Sequence, residues 1–223
     1  MSSCEIFSDL TRPDAPVRGY LHRSSNPAAD CLILTHGAGA NCQSPLLIAL
    51  ADAFCTAGLA VLRCDLPFRQ SRPYGPPPRG AAERDQQGLR AAVEAMRRKG
   101  AGRIFLGGHS YGGRQASILA ASDRQVADAL LLLSFPLHPP KQPSKLRSEH
   151  FPSLRVPALF VHGMRDGFGT ISQMETALAL VPAHTELLPV VGAGHELITK
   201  SNRDDFISQV TSNFLAFTRT TAK

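Results

Sequence analysis

No apolar stretch in this 223-residue chain approaches the length of a membrane span; runs such as Ala129–Leu133 fall far short of the roughly 20 residues that a bilayer requires. The N-terminus, MSSCEIFSDLTRPD, lacks the basic segment and apolar core of a secretory signal, so no membrane partner is expected. The five cysteines are odd in number, form no C-x-x-C pair and are confined to the first third of the chain. Cys31 and Cys64 fall in apolar runs and read as small buried hydrophobes, which implies a reducing, cytoplasmic setting. Neither H-x-x-x-H nor H-E-x-x-H occurs, so no metal and no other cofactor is expected. The net charge of +6 invites a nucleic-acid reading, but the densest basic run is Arg97-Arg98-Lys99, at the end of an expected helix, where cations complement the dipole. With no zinc-finger, basic-zipper or RNA-recognition pattern beside it, nucleic acid is not an expected partner. There is no internal repeat, and the one biased segment is the proline-rich Arg72–Arg79.

What remains is an ordinary globular composition, 43% hydrophobic and 19% charged, in a length that suits a single domain over residues 1–223. Short apolar runs predict strands at Val17–His22, Cys31–Thr35, Leu59–Arg63, Arg103–Leu106, Ala129–Leu133, Ala158–His162 and Thr185–Val190. Helical spacing predicts Leu46–Ala57, Ala81–Lys99, Tyr111–Ala121, Thr170–Leu180 and Asn202–Thr218, with Pro67–Gly80 left as loop. Strands alternating with helices imply an α/β fold, a mostly parallel sheet covered by helices on both faces. Ligands in such sheets sit beyond the carboxyl ends of the strands. The residues to inspect are therefore His36–Asn41, Asp65–Phe68, His109–Tyr111, Ser134–His138, Gly163–Phe168 and Gly192–Glu196.

One of these segments, Gly108-His109-Ser110-Tyr111-Gly112, fits G-x-S-x-G between a predicted strand and a predicted helix. That context places Ser110 on a strained elbow, with glycines letting strand and helix approach each other. A serine hydroxyl needs a base to take its proton and a carboxylate to orient that base. On this topology the partners follow in the order Ser, acid, His, each after a later strand. Asp166 follows ALFVH and His195 follows TELLPVV, in that order. Taken alone, Asp166 reads as a cap for the helix beginning near Thr170, and His195 as a loop histidine; together with the elbow they read as a triad. For an oxyanion hole the backbone N–H of Tyr111 and that of Ala38, in His36-Gly37-Ala38-Gly39, are the candidates. The other histidines read as structural: His22, His150 and His184 at the surface or a strand edge, His36 and His162 fixing loops, and His109 pointing away from the crevice.

The segments THGAGAN, RCDLPF, GGHSYGGRQAS, SFPLHPP, VHGMRDGFG and GAGHEL, running in order from Thr35 to Leu197, resemble the α/β-hydrolase superfamily. More narrowly, the chain is similar to the dienelactone-hydrolase-related group that includes testis-expressed hydrolase-like proteins and a regulatory subunit of the nonspecific lethal histone-acetylation complex. The resemblance implies an α/β-hydrolase fold, with Ser110 as nucleophile, Asp166 as acid and His195 as base. Dienelactone hydrolases proper use Cys where this chain has Ser110, so their substrate is not carried over.

The expected chemistry is acyl transfer from a small-molecule ester or thioester. The connection Phe135–Arg155 is too short for a large cap domain, which implies an open site. His138 and Phe68 are candidate substrate contacts near its mouth, and Arg69 and Arg72 candidate members of a cationic rim that also draws on Arg79 and Arg84. Two alternatives stay open at this level: a non-catalytic interaction subunit on a hydrolase scaffold, and an acyltransferase or perhydrolase using the same triad.

Overall fold

The computed structural model describes residues 3–26, 28–199 and 202–221. A single eight-stranded sheet runs through the molecule, with strands β1 (Ser3–Asp9), β2 (Val17–Arg23), β3 (Cys31–Thr35), β4 (Ala60–Cys64), β5 (Ile104–His109), β6 (Ala129–Leu133), β7 (Ala158–Gly163) and β8 (Thr185–Val190). Their order across the sheet is β1-β2-β4-β3-β5-β6-β7-β8. Only the β1–β2 and β2–β4 pairings are antiparallel; β4 through β8 run parallel. The helices are α1 (Pro45–Thr56), α2 (Pro67–Ser71), α3 (Ala81–Arg98), α4 (Tyr111–Ser122), α5 (Ile171–Leu178) and α6 (Arg203–Thr220). This is the α/β-hydrolase fold without a cap domain: the β6–β7 connection holds a single 3-10 turn, Phe151–Ser153. Among the described residues no helix is long and apolar enough to cross a membrane.

The two faces of the sheet follow from the two-residue period of its strands. Leu130 and Leu132 of β6 pack with Leu89 and Ala92 of α3, Ala116 and Leu119 of α4 and Met174 of α5. Leu131 and Leu133 turn to the opposite face, against Leu47, Leu50 and Phe54 of α1 and Phe206, Val210 and Phe214 of α6. There, Phe54 and Phe105 both meet Phe214 edge-on, at 5.7 and 5.5 Å between centroids. Each such buried aromatic contributes on the order of 2–3 kcal/mol of apolar burial.

Three elements differ from the sequence expectation. β1 was not predicted: it is an edge strand on which Phe7 points inward while Ile6 stays 82% exposed, so it carries little hydrophobic pattern. α2 occupies the start of the expected loop, a short helix entered through Pro67. β5 continues to His109 rather than ending at Leu106, because Gly107-Gly108-His109 still pairs with β3 and β6.

Candidate active site

The carboxyl end of β5 lies at the centre of the sheet, between β3 and β6, and Ser110 is the residue that turns the chain into α4. Its backbone is at φ 51 and ψ −114, a region that side chains other than glycine rarely occupy. A bond from the Ser110 N–H to the Leu133 carbonyl, 2.8 Å, holds this turn against β6. The neighbouring glycines make the turn possible by close approach. A Cβ at Gly108 would lie 2.5 Å from the Thr35 carbonyl oxygen, and one at Gly112 2.6 Å from that of His36. The strand–serine–helix joint is therefore packed directly on the end of β3.

The three residues expected to form the triad come together. The Ser110 hydroxyl donates to His195 Nε2 at 2.8 Å, and His195 Nδ1–H donates to Asp166 Oδ2 at 2.8 Å. The side chain of Asp166 is fully buried while that of His195 keeps 20% of its surface, so solvent reaches the imidazole and not the carboxylate. Asp166 does not cap the next helix; Thr170 does, in a capping box with Gln173. Instead its other oxygen accepts the Phe168 N–H at 2.8 Å. Burial alone pushes the Asp166 carboxyl up, but the His195 bond and charge, the Phe168 N–H and the nearby His162 outweigh it and hold the group below its ordinary value. The Asp166 and His195 loops are laced together by Met164 N–H to the Val190 carbonyl and Arg165 N–H to that of Ala193. The Phe168 ring lies 4.2 Å from the His195 ring, between centroids.

His109 corrects the sequence reading. Its ring does not turn away from the site: Nε2–H donates to the His195 carbonyl at 2.8 Å, and the two rings are 5.2 Å apart. The left-handed turn at Ser110 redirects the chain, so strand alternation misjudges this neighbour.

The backbone N–H of Tyr111 opens α4, and that of Ala38 lies in the loop after β3; among the described residues neither donates to a protein acceptor. The peptide carrying the Ala38 N–H is fixed through its carbonyl end, since Gly37 O accepts both His36 Nδ1–H (2.9 Å) and Ala40 N–H (3.1 Å). His36 in turn accepts the Leu66 N–H at Nε2, which sets its tautomer. His36 thus fixes its loop as expected, as does His162, which donates to the Gly169 carbonyl at 2.8 Å.

The expected substrate contacts fare differently. Phe68 is buried on α2, edge-on to both His36 and Tyr111 at 5.6 Å. Arg69 is not part of a cationic rim: it is 6% exposed and spends its guanidinium on the carbonyls of Ala38, Ala40, Arg72 and Gly75. Arg72 stands exposed just past α2, with its carbonyl held by Arg69. His138 is buried, with Nδ1 2.9 Å from the Pro139 carbonyl and Nε2 3.2 Å from Gln173 Oε1; its backbone N–H holds the Phe168 carbonyl. Of the histidines read as lying at the surface or a strand edge, His22 is buried on β2 and accepts from Arg63 Nε, and His150 is half-buried on Ser117.

Sequence reasoning missed Asp85. It is fully buried on α3, accepts the Tyr111 hydroxyl at 2.7 Å and the Phe68 N–H at 3.0 Å, and so joins three elements beside Ser110. The signal was available, because Asp85 interrupts the apolar stripe of Leu89, Ala92 and Met96. Burial pushes the Asp85 carboxyl up, partly countered by its two donors and Arg84. Among the described residues no cluster of three metal-ligating side chains occurs.

This arrangement can carry nucleophilic chemistry at a carbonyl. Solved structures that it resembles include a dienelactone hydrolase from Anabaena variabilis, at 20% identity over 96% of this chain and 98% of that one, with a TM-score of 0.75. Est1E from Butyrivibrio proteoclasticus matches at 17% identity over 97% and 99%, with a TM-score of 0.75. An alpha-beta serine hydrolase homologue from Coxiella burnetii matches at 18% over 96% and 98%, with a TM-score of 0.74. At these identities the likeness is one of fold. The family described as Alpha/beta hydrolase domain matches residues 28–221, a span that carries Ser110, Asp166 and His195, and the chain belongs to that family.

Proposed function

We propose that the protein is a serine hydrolase of carboxylic esters or thioesters that works through an acyl-enzyme. The observation that carries this reading is the unbroken chain of hydrogen bonds from Ser110 Oγ through His195 to Asp166, built on a serine held in a strained conformation. Ser110 Oγ attacks the substrate carbonyl while His195 Nε2 takes its proton. Asp166 keeps the imidazole in the tautomer that presents Nε2 as acceptor and stabilises the imidazolium that forms. The N–H groups of Tyr111 and Ala38 receive the developing oxyanion, a role in which one donor typically provides about 3–4 kcal/mol. His195 then gives its proton to the departing alcohol or thiol. In the second half it activates water, which releases the acid and restores Ser110. A cytoplasmic setting belongs to the same proposal, supported by unpaired thiols: burial pushes Cys31 and Cys42 up to about 12, and both behave as apolar groups.

A panel of p-nitrophenyl esters and thioesters, assayed with the wild type and with Ser110→Ala, tests the reading. Turnover with a pre-steady-state burst that disappears in the variant supports it; equal rates in both contradict it.

A further inference from the structure

Arg114 lies one helical turn beyond Ser110, with its N–H bonded to the Ser110 carbonyl at 3.0 Å. Helical side chains lean toward the N-terminus of their helix, so Arg114 projects back toward the Ser110–Tyr111 end of α4. Its charge is felt at the Tyr111 phenol, where it partly counters the upward push of burial and Asp85. Among the described residues the Arg114 guanidinium has neither hydrogen bond nor ion pair, and its Nε is sealed from solvent.

Arg147 lies on the β6–β7 connection, which packs on α4 through His150 on Ser117. Its backbone N–H is anchored on the Leu137 carbonyl at 2.8 Å, while its guanidinium has only the Pro136 carbonyl, at 3.5 Å. Burial and then the Arg114 charge hold Arg147 below the usual guanidinium value, with Glu149 acting in the opposite direction. Glu149 is exposed and is not within ion-pair distance of either arginine. His150 is pushed down to about 4 by burial and by Arg114, so at neutral pH it adds no charge and sits neutral on Ser117 Oγ at 2.8 Å.

Two partly buried cations therefore stand where the β6–β7 connection packs on α4 through His150 and Ser117, and among the described residues neither has an anion in contact. Other buried or partly buried arginines are paired: Arg69 holds four carbonyls, and Arg103 pairs with Asp30 and the Thr218 carbonyl. Like charges gathered out of water are costly unless a counter-charge joins them. We propose that Arg114 and Arg147 form a receptor for an oxyanion group, carboxylate or phosphoryl, carried by the substrate beside its scissile carbonyl. The planar forks of the two guanidiniums can grip two oxygens of either group. This assigns the substrate class of the serine hydrolase proposed above and rests on that reading. It also moves the cationic feature from Arg69 and Arg72 to α4 and the β6–β7 connection.

The test compares kcat/KM for p-nitrophenyl hemisuccinate, p-nitrophenyl 3-phosphonopropionate and neutral p-nitrophenyl butyrate in the wild type, Arg114→Gln and Arg147→Gln. The wild type is expected to prefer at least one anionic ester, and the anionic-to-neutral ratio to fall about ten-fold in each variant, the loss typical of a charge-assisted contact. Which anionic ester loses more distinguishes carboxylate from phosphoryl. Arg147→Gln, on a connection rather than in a packed helix, keeps the test valid if Arg114→Gln fails to fold. No anionic preference in the wild type, or an undiminished one in both variants, overturns the proposal. Fluorophosphonate labelling of Ser110 in the same samples separates the two readings: labelled serine without anion preference leaves the hydrolase and removes the receptor. If no ester is turned over, calorimetric binding of inorganic phosphate and of succinate decides, with saturable binding that Arg147→Gln weakens supporting the receptor and absence of binding overturning it.

Discussion

His109 donates its Nε2–H to the main-chain carbonyl of His195 at 2.8 Å, so the residue before the serine holds the loop that carries the histidine. Burial keeps this imidazole below its ordinary pKa, and thus neutral, with one N–H to give. Replacing it with Leu keeps bulk and removes the donor. We expect kcat to fall about 10- to 100-fold with little change in KM, because a small misplacement of His195 penalises the reacting geometry more than binding. Steady-state kinetics on His109→Leu checks this; an unchanged kcat contradicts the positioning role.

Arg69 joins the loop after β3 to the end of α2 through four carbonyls. Arg69→Met retains the stem and strands those acceptors. The expected loss is about 2–3 kcal/mol of stability, with a drop in kcat because the Ala38 peptide loosens. Urea denaturation reads the first and ester turnover the second; a variant as stable as the wild type contradicts the account.

The Asp85–Tyr111–Phe68 cluster predicts a contrast between two substitutions. Asp85→Ala leaves a buried hydroxyl and a buried N–H without acceptors, for an expected loss of about 2–3 kcal/mol. Asp85→Asn keeps an acceptor oxygen and no longer buries a charge, so it is expected to lose under about 1 kcal/mol. Equal losses in the two variants would show that packing, not hydrogen bonding, is what Asp85 provides.

His150 makes stability depend on pH. Its pKa in the fold is about 4, below the ordinary 6.5, because of burial and then Arg114. The unfolded chain therefore binds the extra proton first as pH falls, and stability drops through the window between those two values. After allowance for partial exposure, the wild type should lose roughly 1–2 kcal/mol more than His150→Gln between pH 7 and pH 4. Denaturant midpoints at the two pH values measure this, and parallel losses contradict it.

Ser110, Asp166 and His195 were legible because each follows a strand, and strand ends can be read from apolar runs closed by glycine or a polar residue. The fold was legible for the same reason, since buried parallel strands such as Ala129–Leu133 leave an unbroken apolar signature. What could not be read was the direction of loop side chains. His138 and His109 lie at or just past strand ends and Arg69 on α2, yet each turns to satisfy neighbouring carbonyls or side chains, and such bonds depend on elements distant in sequence. β1 and α2 escaped because an edge strand and a five-residue helix bury too little surface to impose a period.

The proposed chemistry requires Ser110 to be an activated nucleophile. Treating the folded protein with a fluorophosphonate probe and locating the adduct by mass spectrometry tests this most directly. We predict one adduct, on Ser110, formed rapidly in the wild type, absent in Ser110→Ala and slowed by several orders of magnitude in His195→Ala. A folded wild type that remains unlabelled, or one labelled equally fast without His195, would contradict it.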